Sequence, residues 1–368
     1  MKSRSLIYYI LKRYSYLASR LFYRRLTIHN VKNVPADGPL IFVPNHQNAF
    51  MDAIMVTVVT PRNPWYLTRA SVFGSATARY WLNSLQMIPI YRFRDGLQNV
   101  KKNDATVELS LKLLNENETI LIFAEGNHDC RWSLRPLQKG LARISFAFES
   151  SVNFTGELMI VPVGLQYEDH NRFRSELLIN FGEPIKVSDY KEIYQTDSIK
   201  ATAQLIGDVN SELEKLIINI QQTDRHDEIK SAIKSRAGRE VDLLKRLNGD
   251  QQFLKQGDFS EKACQPLKTN SMLAIVAFPV FVYGFLNHII IICGIKLILS
   301  KLMSDKHWTS SFKFAGMIFL APAIYFLQCL LVYHFYPGLM YVTVYLASLP
   351  VSAVMAGDYY HKVLQHNK

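Results

Sequence analysis

A long apolar region at the C-terminal end limits most strongly how this sequence can fold. Residues 271–300 are apolar for about 30 residues, whereas a straight helical span of a bilayer needs roughly 20. Two further apolar stretches follow at residues 314–335 and 339–356, and a Pro-Gly pair separates them. Such a chain must place its last part in a membrane, so the sequence predicts a transmembrane region over residues 271–358.

The first apolar stretch contains three residues that commonly interrupt helices: Pro279, Gly284 and Asn287. A loop rich in lysine follows it, and cytoplasmic loops carry an excess of lysine. If this loop is cytoplasmic, residues 271–300 must enter the membrane and return, as a re-entrant hairpin or as two half-helices. Residues 314–335 and 339–356 would then be a spanning pair. The alternative is three plain spans with the basic loop outside.

The net charge of the chain also favours a membrane as its partner. The chain has 368 residues and a net charge of +11, with 42 Lys and Arg against 31 Asp and Glu. A basic chain is typical of binding to nucleic acid or to an anionic membrane surface. The sequence has no nucleic-acid-binding motif, so we expect a lipid bilayer and no nucleic acid as partner. The four cysteines show no C-x-x-C spacing, which favours a reducing compartment without structural disulfides.

Two segments outside the apolar region have helical patterns of their own. Residues 1–25 alternate apolar and basic side chains at helical spacing and are too polar to span a bilayer. We expect an amphipathic helix on the membrane surface; the alternative is a helix packed on the folded domain. Residues 222–270 are charged and poor in aromatic residues, which predicts a helical linker or arm with a solvated face.

Residues 26–221 alternate short apolar runs with helical patterns, which is typical of an α/β domain. We expect a mixed sheet, largely parallel at its centre and flanked by helices. The candidate strands are residues 27–31, 39–44, 64–69, 87–92, 119–124, 158–165 and 176–182. The candidate helices are residues 49–60, 71–83, 97–117, 138–151 and 200–221.

The motif V-P-N-H-Q-N-A-F-M-D follows the second candidate strand. Pro44 and Asn45 end that strand, so His46 should lie at its carboxyl end, where open α/β sheets place their chemistry. Asp52 is six residues further on, about 120° around a helix from His46, so the two cannot share one helix face. We therefore expect His46 in the turn before a helix and Asp52 in its first turns. A histidine paired with a carboxylate can act as a general base, whereas the alternative is an ordinary helix start capped by Asn45.

A second group of polar residues follows the strand at residues 119–123. Glu125 and Gly126 come directly after it, so a carboxylate and free backbone N–H groups should lie at the same sheet edge as His46. His128 and Asp129 follow. Basic groups converging on strand ends suit a phosphate ligand. The basic residues in this region are Arg92, Arg94, Arg131, Arg135 and Lys139.

The order of N-H-…-D, I-P-I-Y-R, F-A-E-G and I-V-P-V resembles the four sequence blocks of the glycerolipid acyltransferases. This superfamily contains the glycerol-3-phosphate and lysophosphatidic acid acyltransferases, and the resemblance covers roughly residues 26–190. It implies an acyltransferase-type sheet. The proline of the fourth block, Pro162, would shape the acyl site.

Carried over to this chain, the resemblance implies His46 as general base and Asp52 as its support. It places Arg92 with Glu125 and Gly126 at the acceptor site. The implied reaction takes a proton from an acceptor hydroxyl, whose oxygen attacks an acyl thioester, with acyl-CoA or acyl carrier protein as co-substrate. It needs no metal and no further cofactor. The candidates for steadying the oxyanion or supporting the site are Asn45, N–H groups at the helix start, His128 and Asp129.

The sequence departs from the common family pattern in its spacing. Five residues, not four, separate His46 from Asp52, as in the fungal-type glycerol-3-phosphate/dihydroxyacetone-phosphate acyltransferases. That branch also has a His-Asp pair after its third block and a membrane-embedded C-terminal region. The spacing favours acylation of glycerol-3-phosphate or dihydroxyacetone phosphate at the first carbon. The alternative acceptor is lysophosphatidic acid, acylated at the second.

Three other classes of protein fit the sequence less well. A metal phosphohydrolase could use His46, Asp52, His128 and Asp129 as ligands, but the remaining carboxylate motifs of that class are missing. A serine hydrolase would need a G-x-S-x-G motif, which the chain lacks. A non-catalytic membrane scaffold would not need the first motif.

Basic residues beside the apolar stretches predict an integral membrane protein with its catalytic domain on the cytoplasmic face.

Overall fold

The computed structural model describes residues 6–91, 103–257, 259, 271–302 and 308–364. Within these residues, eight strands form one sheet in the order β1-β7-β6-β2-β5-β3-β4, with β8 beside β6. The strands are β1 Arg25–His29, β2 Leu40–Pro44, β3 Trp65–Arg69, β4 Met87–Ile90, β5 Thr119–Leu121, β6 Met159–Tyr167, β7 Glu176–Phe181 and β8 Ile185–Lys186.

The centre of the sheet is parallel, as the alternating pattern predicted. Strands β6, β2, β5, β3 and β4 run in one direction, and β7 is antiparallel to β6 but parallel to β1. Every residue of β2 is buried, because a parallel strand at the middle of a sheet has helices on both faces. Its side chains alternate between two cores: Ile41 and Val43 face one, and Leu40 and Phe42 face the other.

Several of the helices before residue 271 pack on these two faces of the sheet. Helices α4, α5 and α7 contribute to the Ile41 core, and α1 and α2 contribute to the Phe42 core. They are α1 Leu6–Phe22, α2 Ala49–Val59, α3 Ala76–Ser84, α4 Asn103–Asn115, α5 Gly140–Ser151, α6 Lys191–Thr196, α7 Ser198–Leu216, α8 His226–Ser235 and α9 Leu243–Gln256. Short 3₁₀ turns lie at Val31–Asn33, Ala70–Phe73 and Val187–Tyr190.

Helix α1 combines the two alternatives left open by the sequence. It packs on the domain through Ala18 and Phe22, and the ammonium of Lys12 donates to the carbonyl oxygens of Thr60 and Arg62. Its other face leaves apolar side chains in solvent, for example Leu6 at 73% exposure. The helix is therefore docked on the domain and still presents an apolar surface.

The charged segment after residue 222 is not a free arm where the structure describes it. Helices α8 and α9 pack against the end of the sheet domain around the buried Trp132. The Trp132 backbone N–H donates to His226 Nε2 at 2.9 Å, and its indole N–H donates to the Tyr167 carbonyl oxygen at 2.8 Å. The linker prediction missed this docking, because the pattern of charges hid the small apolar face of each helix.

The C-terminal region contains three helices long and apolar enough to cross a membrane: Ala274–Lys301, Thr309–Phe335 and Leu339–Val363. They are built from α10 Ser271–Leu302, α11 Thr309–Ala315, α12 Ala321–Phe335 and α13 Leu339–Tyr359, with π-helical turns at Gly316–Leu320 and Tyr360–Leu364.

The predicted interruption of the first apolar stretch is wrong, because α10 is continuous and contains Pro279. Two of the three residues expected to break it, Gly284 and Asn287, instead make helix–helix contacts. Asn287 Oδ1 accepts a hydrogen bond from the Tyr345 hydroxyl at 2.5 Å. At Gly284, an added Cβ would lie 2.5 Å from the Ser352 carbonyl oxygen, so the close approach of α13 requires glycine.

Candidate functional site

The carboxyl end of β2 is fixed against β6 by Asn45. Its side-chain oxygen accepts the Leu165 N–H at 2.7 Å, and its amide donates to the Leu165 carbonyl oxygen at 3.2 Å. Asn45 is fully buried. Of its two predicted roles, this contact favours support of the strand end over an open position beside a reacting carbonyl.

His46 and Asp52 meet directly, with His46 Nδ1 2.9 Å from Asp52 Oδ2. His46 lies in the turn before α2, and Asp52 lies in the first turn of that helix, as the six-residue spacing predicted. Asp52 is fully buried. Its Oδ2 also accepts the N–H groups of Gln47 and Asn48 at 2.8 and 2.7 Å, and its Oδ1 accepts the Tyr167 hydroxyl at 2.7 Å. These donors stabilise a buried charge.

Aromatic rings surround the His46 imidazole. It stacks on Phe123 with ring centroids 3.8 Å apart, and the His128 ring approaches it edgewise at 5.4 Å. The Trp308 ring contacts His128 in turn at 5.7 Å. The His46 side chain remains 13% exposed, so a small ligand can reach the ring while most water is excluded.

Glu125 links the turn after β5 to His46. Its Oε1 accepts the His46 backbone N–H at 2.6 Å, and its Oε2 accepts the Arg135 N–H and Nε–H at 3.2 and 3.3 Å. Burial raises the pKa of Glu125 to about 7, and these hydrogen bonds and the charge of Arg135 limit the rise. Gly126 next to it has φ of 73°, a conformation that favours glycine.

The same turn also holds the carbonyl of His46, since the Asp129 N–H donates to it at 3.1 Å. Burial opposes ionisation of Asp129, but hydrogen bonds from Arg131 lower its pKa overall. Residues 125–129 therefore bind both backbone groups of His46. The polar residues that follow β5 therefore lie directly beside His46 at the end of β2.

Three other predicted residues are less closely tied to His46. Arg92 lies outside the described residues. Lys139 is exposed, one residue before α5 begins. Pro162 is buried in β6, in register with Val43 of β2, and its carbonyl oxygen accepts the Gly182 N–H at 2.8 Å.

Two of the residues considered as metal ligands, Asp52 and Asp129, already bind other groups of the protein. Asp52 accepts from four donors, and Asp129 is paired with Arg131 at 2.6 Å. Within the described part of the chain, no group of three or more His, Cys, Asp or Glu side chains is arranged to hold a metal ion. The arrangement can accept and return a proton at His46.

Tyr167, Phe123 and Trp308 were missed by sequence reasoning as site residues. Tyr167 ends β6 at the same sheet edge, so a candidate strand two residues longer would have found it. Phe123 ends an apolar run and carries no polar signal. Trp308 is separated from His46 by more than two-thirds of the chain, and nothing in its local sequence indicates the contact.

The part of the chain that contains this site is similar to known proteins. A family model described as Acyltransferase matches residues 25–166. The chain is 28% identical over 123 residues to glycerol-3-phosphate O-acyltransferase 2 of Saccharomyces cerevisiae, covering 33% of this chain and 16% of the yeast protein. It is 30% identical over 91 residues to an uncharacterized acyltransferase of Schizosaccharomyces pombe, covering 24% of this chain and 13% of that protein.

A solved structure is also similar. It is the 1-acyl-sn-glycerophosphate (LPA) acyltransferase PlsC from Thermotoga maritima, with a TM-score of 0.40 and 16% sequence identity. The similarity covers 59% of this chain and 84% of that chain. The two curated relatives are matched over a small part of their own length.

Proposed function

We propose that residues 25–166, which match the Acyltransferase family model, form a domain of the glycerolipid acyltransferase type and that the protein acylates a phosphorylated glycerol. The acyl group comes from a thioester, acyl-CoA or acyl carrier protein. The acceptor is the sn-1 hydroxyl of glycerol-3-phosphate or of dihydroxyacetone phosphate, and the alternative is the sn-2 hydroxyl of lysophosphatidic acid. The observation that carries the proposal is the 2.9 Å contact between His46 and Asp52 beside Glu125 and Arg135.

His46 is the general base. Asp52 Oδ2 already accepts two backbone N–H groups, so it is an acceptor and the proton between it and His46 belongs to Nδ1. This tautomer leaves the lone pair on Nε2. Asp52 then stabilises the imidazolium that forms when Nε2 takes a proton.

The transfer needs no enzyme nucleophile. His46 Nε2 takes the proton of the acceptor hydroxyl as its oxygen bonds to the thioester carbonyl carbon. The carbon–sulfur bond then breaks, and the thiolate leaves with the proton returned by the imidazolium. The N–H groups of His46, Gln47 and Asn48 are bound to Glu125 or Asp52, so they are not available to an oxyanion. The donor that we propose instead is His128, whose ring lies 5.4 Å from that of His46.

Arg135 and Glu125 are proposed to bind the acceptor. Nη2 of Arg135 is buried without a hydrogen-bond partner among the described residues, and a buried guanidinium donor needs one. A phosphate oxygen of the acceptor would supply it. Glu125, with its pKa near 7, can accept from a glycerol hydroxyl while holding Arg135 in place. By the resemblance, Arg92 also contacts this phosphate, with Lys139 nearby.

We place the catalytic domain on the cytoplasmic face of a membrane that helices α10 to α13 enter. The exposed apolar side chains of α1 would rest on the same surface. Fatty acyl products would then remain in the bilayer. Labelling of Lys255→Cys, an exposed position near the end of α9, with a membrane-impermeant thiol reagent in sealed vesicles tests the orientation: labelling from the cytoplasmic side only is expected.

The test of the reaction uses the purified full chain in lipid nanodiscs. Palmitoyl-CoA and palmitoyl carrier protein are each offered with glycerol-3-phosphate, dihydroxyacetone phosphate and lysophosphatidic acid. We expect transfer to one of the first two acceptors, and at least a 10³-fold loss in His46→Ala. His29→Ala, at the far end of β1, is the matched control and should keep full activity. Absence of transfer to all three acceptors, or an active His46→Ala, overturns the proposal.

A further inference from the structure

A line of three rings joins the catalytic turn to the membrane helices. His128 approaches His46 at 5.4 Å with an interplanar angle of 72°, and Trp308 approaches His128 at 5.7 Å and 87°. Both are edge-to-face contacts, the arrangement that aromatic rings prefer. Trp308 directly precedes α11, the start of the second helix long enough to cross the membrane.

The start of this helix is held firmly against the catalytic domain. The Lys313 ammonium donates to the Asn171 carbonyl oxygen at 2.7 Å, in the loop that follows β6. Phe314 is 1% exposed, and its ring lies 5.4 Å from that of Phe22. The Tyr14 hydroxyl donates to the Ile318 carbonyl oxygen at 3.0 Å. The helix that follows Trp308 therefore packs on the α/β domain through Lys313, Phe314 and Ile318.

We propose that Trp308 is a positioning residue of the catalytic site: its indole holds the His128 ring beside His46. The helix that begins at Thr309 thereby completes a site whose other residues come from the α/β domain. This inference rests on the proposed acyl transfer and deepens it. Without the indole, the His128 ring loses this edge-to-face contact and with it the alignment that the transfer requires.

The test compares single and double variants of the full chain in nanodiscs, with the acceptor that the wild type uses best. His128→Ala should lower kcat about 10²-fold. Trp308→Ala should lower kcat about 10-fold with KM unchanged within about two-fold, and Trp308→Phe should keep most of the activity because it retains a ring edge. Trp81→Ala, an exposed tryptophan on α3, is the matched control and should match wild type.

The double variant decides whether Trp308 acts through His128. If it does, Trp308→Ala combined with His128→Ala has the kcat of His128→Ala alone. Effects that multiply would mean that the indole acts elsewhere, and wild-type kcat in Trp308→Ala would mean that it does not act; either overturns the inference. Trp308→Leu replaces Trp308→Ala if the latter fails to fold. An inactive wild type would overturn the proposed reaction itself, whereas an active wild type insensitive at position 308 overturns only this inference.

Discussion

The Asp52 carboxylate is hydrogen-bonded both to the His46 ring and to the backbone N–H groups of the two residues that precede α2. Oδ2 lies 2.9 Å from His46 Nδ1 and 2.8 and 2.7 Å from the N–H groups of Gln47 and Asn48. The same oxygen thus satisfies unpaired donors at a helix start and orients the imidazole. This explains how a histidine and an aspartate six residues apart meet without sharing a helix face.

Asp52→Asn should therefore lower kcat about 10³-fold or more while the domain stays folded. An amide in place of the carboxylate cannot accept all these hydrogen bonds, and it no longer stabilises the imidazolium. The measurement is kcat in nanodiscs, with unfolding temperature checked in parallel. Asp37→Asn, on an exposed loop, is the control and should retain wild-type kcat. A kcat within ten-fold of wild type in Asp52→Asn would remove Asp52 from the mechanism.

The contact of His46 with the Glu125 turn followed from the sequence because both lie at carboxyl ends of strands. Strands β2 and β5 are adjacent and parallel, so their ends meet at one edge of the sheet. Apolar runs were enough to find these strands, and the turn residues after them indicated the polar groups. The register of the two turns, in which residues 125–129 bind both backbone groups of His46, has no signal in the sequence.

The contacts that sequence reasoning missed are tertiary. Trp308 meets His128 only because α11 packs on the loop after β6, and no local pattern encodes that packing. Gly284 and Asn287 were read as helix breakers, whereas in a packed membrane bundle small and polar residues mark helix contacts. Local propensity wrongly predicted a break in this helix. Within the bundle, a neighbouring helix supplies the hydrogen bond that the Asn287 side chain would otherwise take from water.

Glu125 should make stability depend on pH around neutrality. Its pKa rises from 4.5 to about 7 on folding, so the folded state favours the protonated carboxyl. The stabilisation is complete below pH 4.5 and is lost as the pH rises through 7, by about 3 kcal/mol. Unfolding temperature measured from pH 5 to pH 8 should fall more in wild type than in Glu125→Gln.

Glu116→Gln serves as the control for this titration, because Glu116 is exposed at the end of α4. Its pH dependence should match that of wild type. If Glu125→Gln also shows the wild-type slope, the pKa of Glu125 is not raised in the folded protein.

Removal of Arg239, outside the site, should destabilise the fold more than removal of an exposed arginine. Its guanidinium binds both oxygens of Glu168 at 3.0 Å and Asp250 Oδ2 at 2.7 Å, and the Asp250 side chain is 1% exposed. Arg239→Ala leaves buried carboxylates with fewer partners and should cost about 3 kcal/mol. Arg143→Ala breaks a pair with Asp104 that is exposed on both sides and should cost less than about 1 kcal/mol. Equal unfolding midpoints for the two variants would contradict the buried network.

Gly284→Ala tests the contact between α10 and α13. The added Cβ would lie 2.5 Å from the Ser352 carbonyl oxygen and 2.8 Å from Ala356 Cβ, so the two helices must separate. Overpacking of this kind costs about 1–3 kcal/mol, which should lower the unfolding temperature in detergent by several degrees. Gly207→Ala is the matched control: no atom lies within 4 Å of its added Cβ on α7, and removing a mid-helix glycine should raise stability. Equal unfolding temperatures for Gly284→Ala and wild type would show that α13 does not approach α10 this closely.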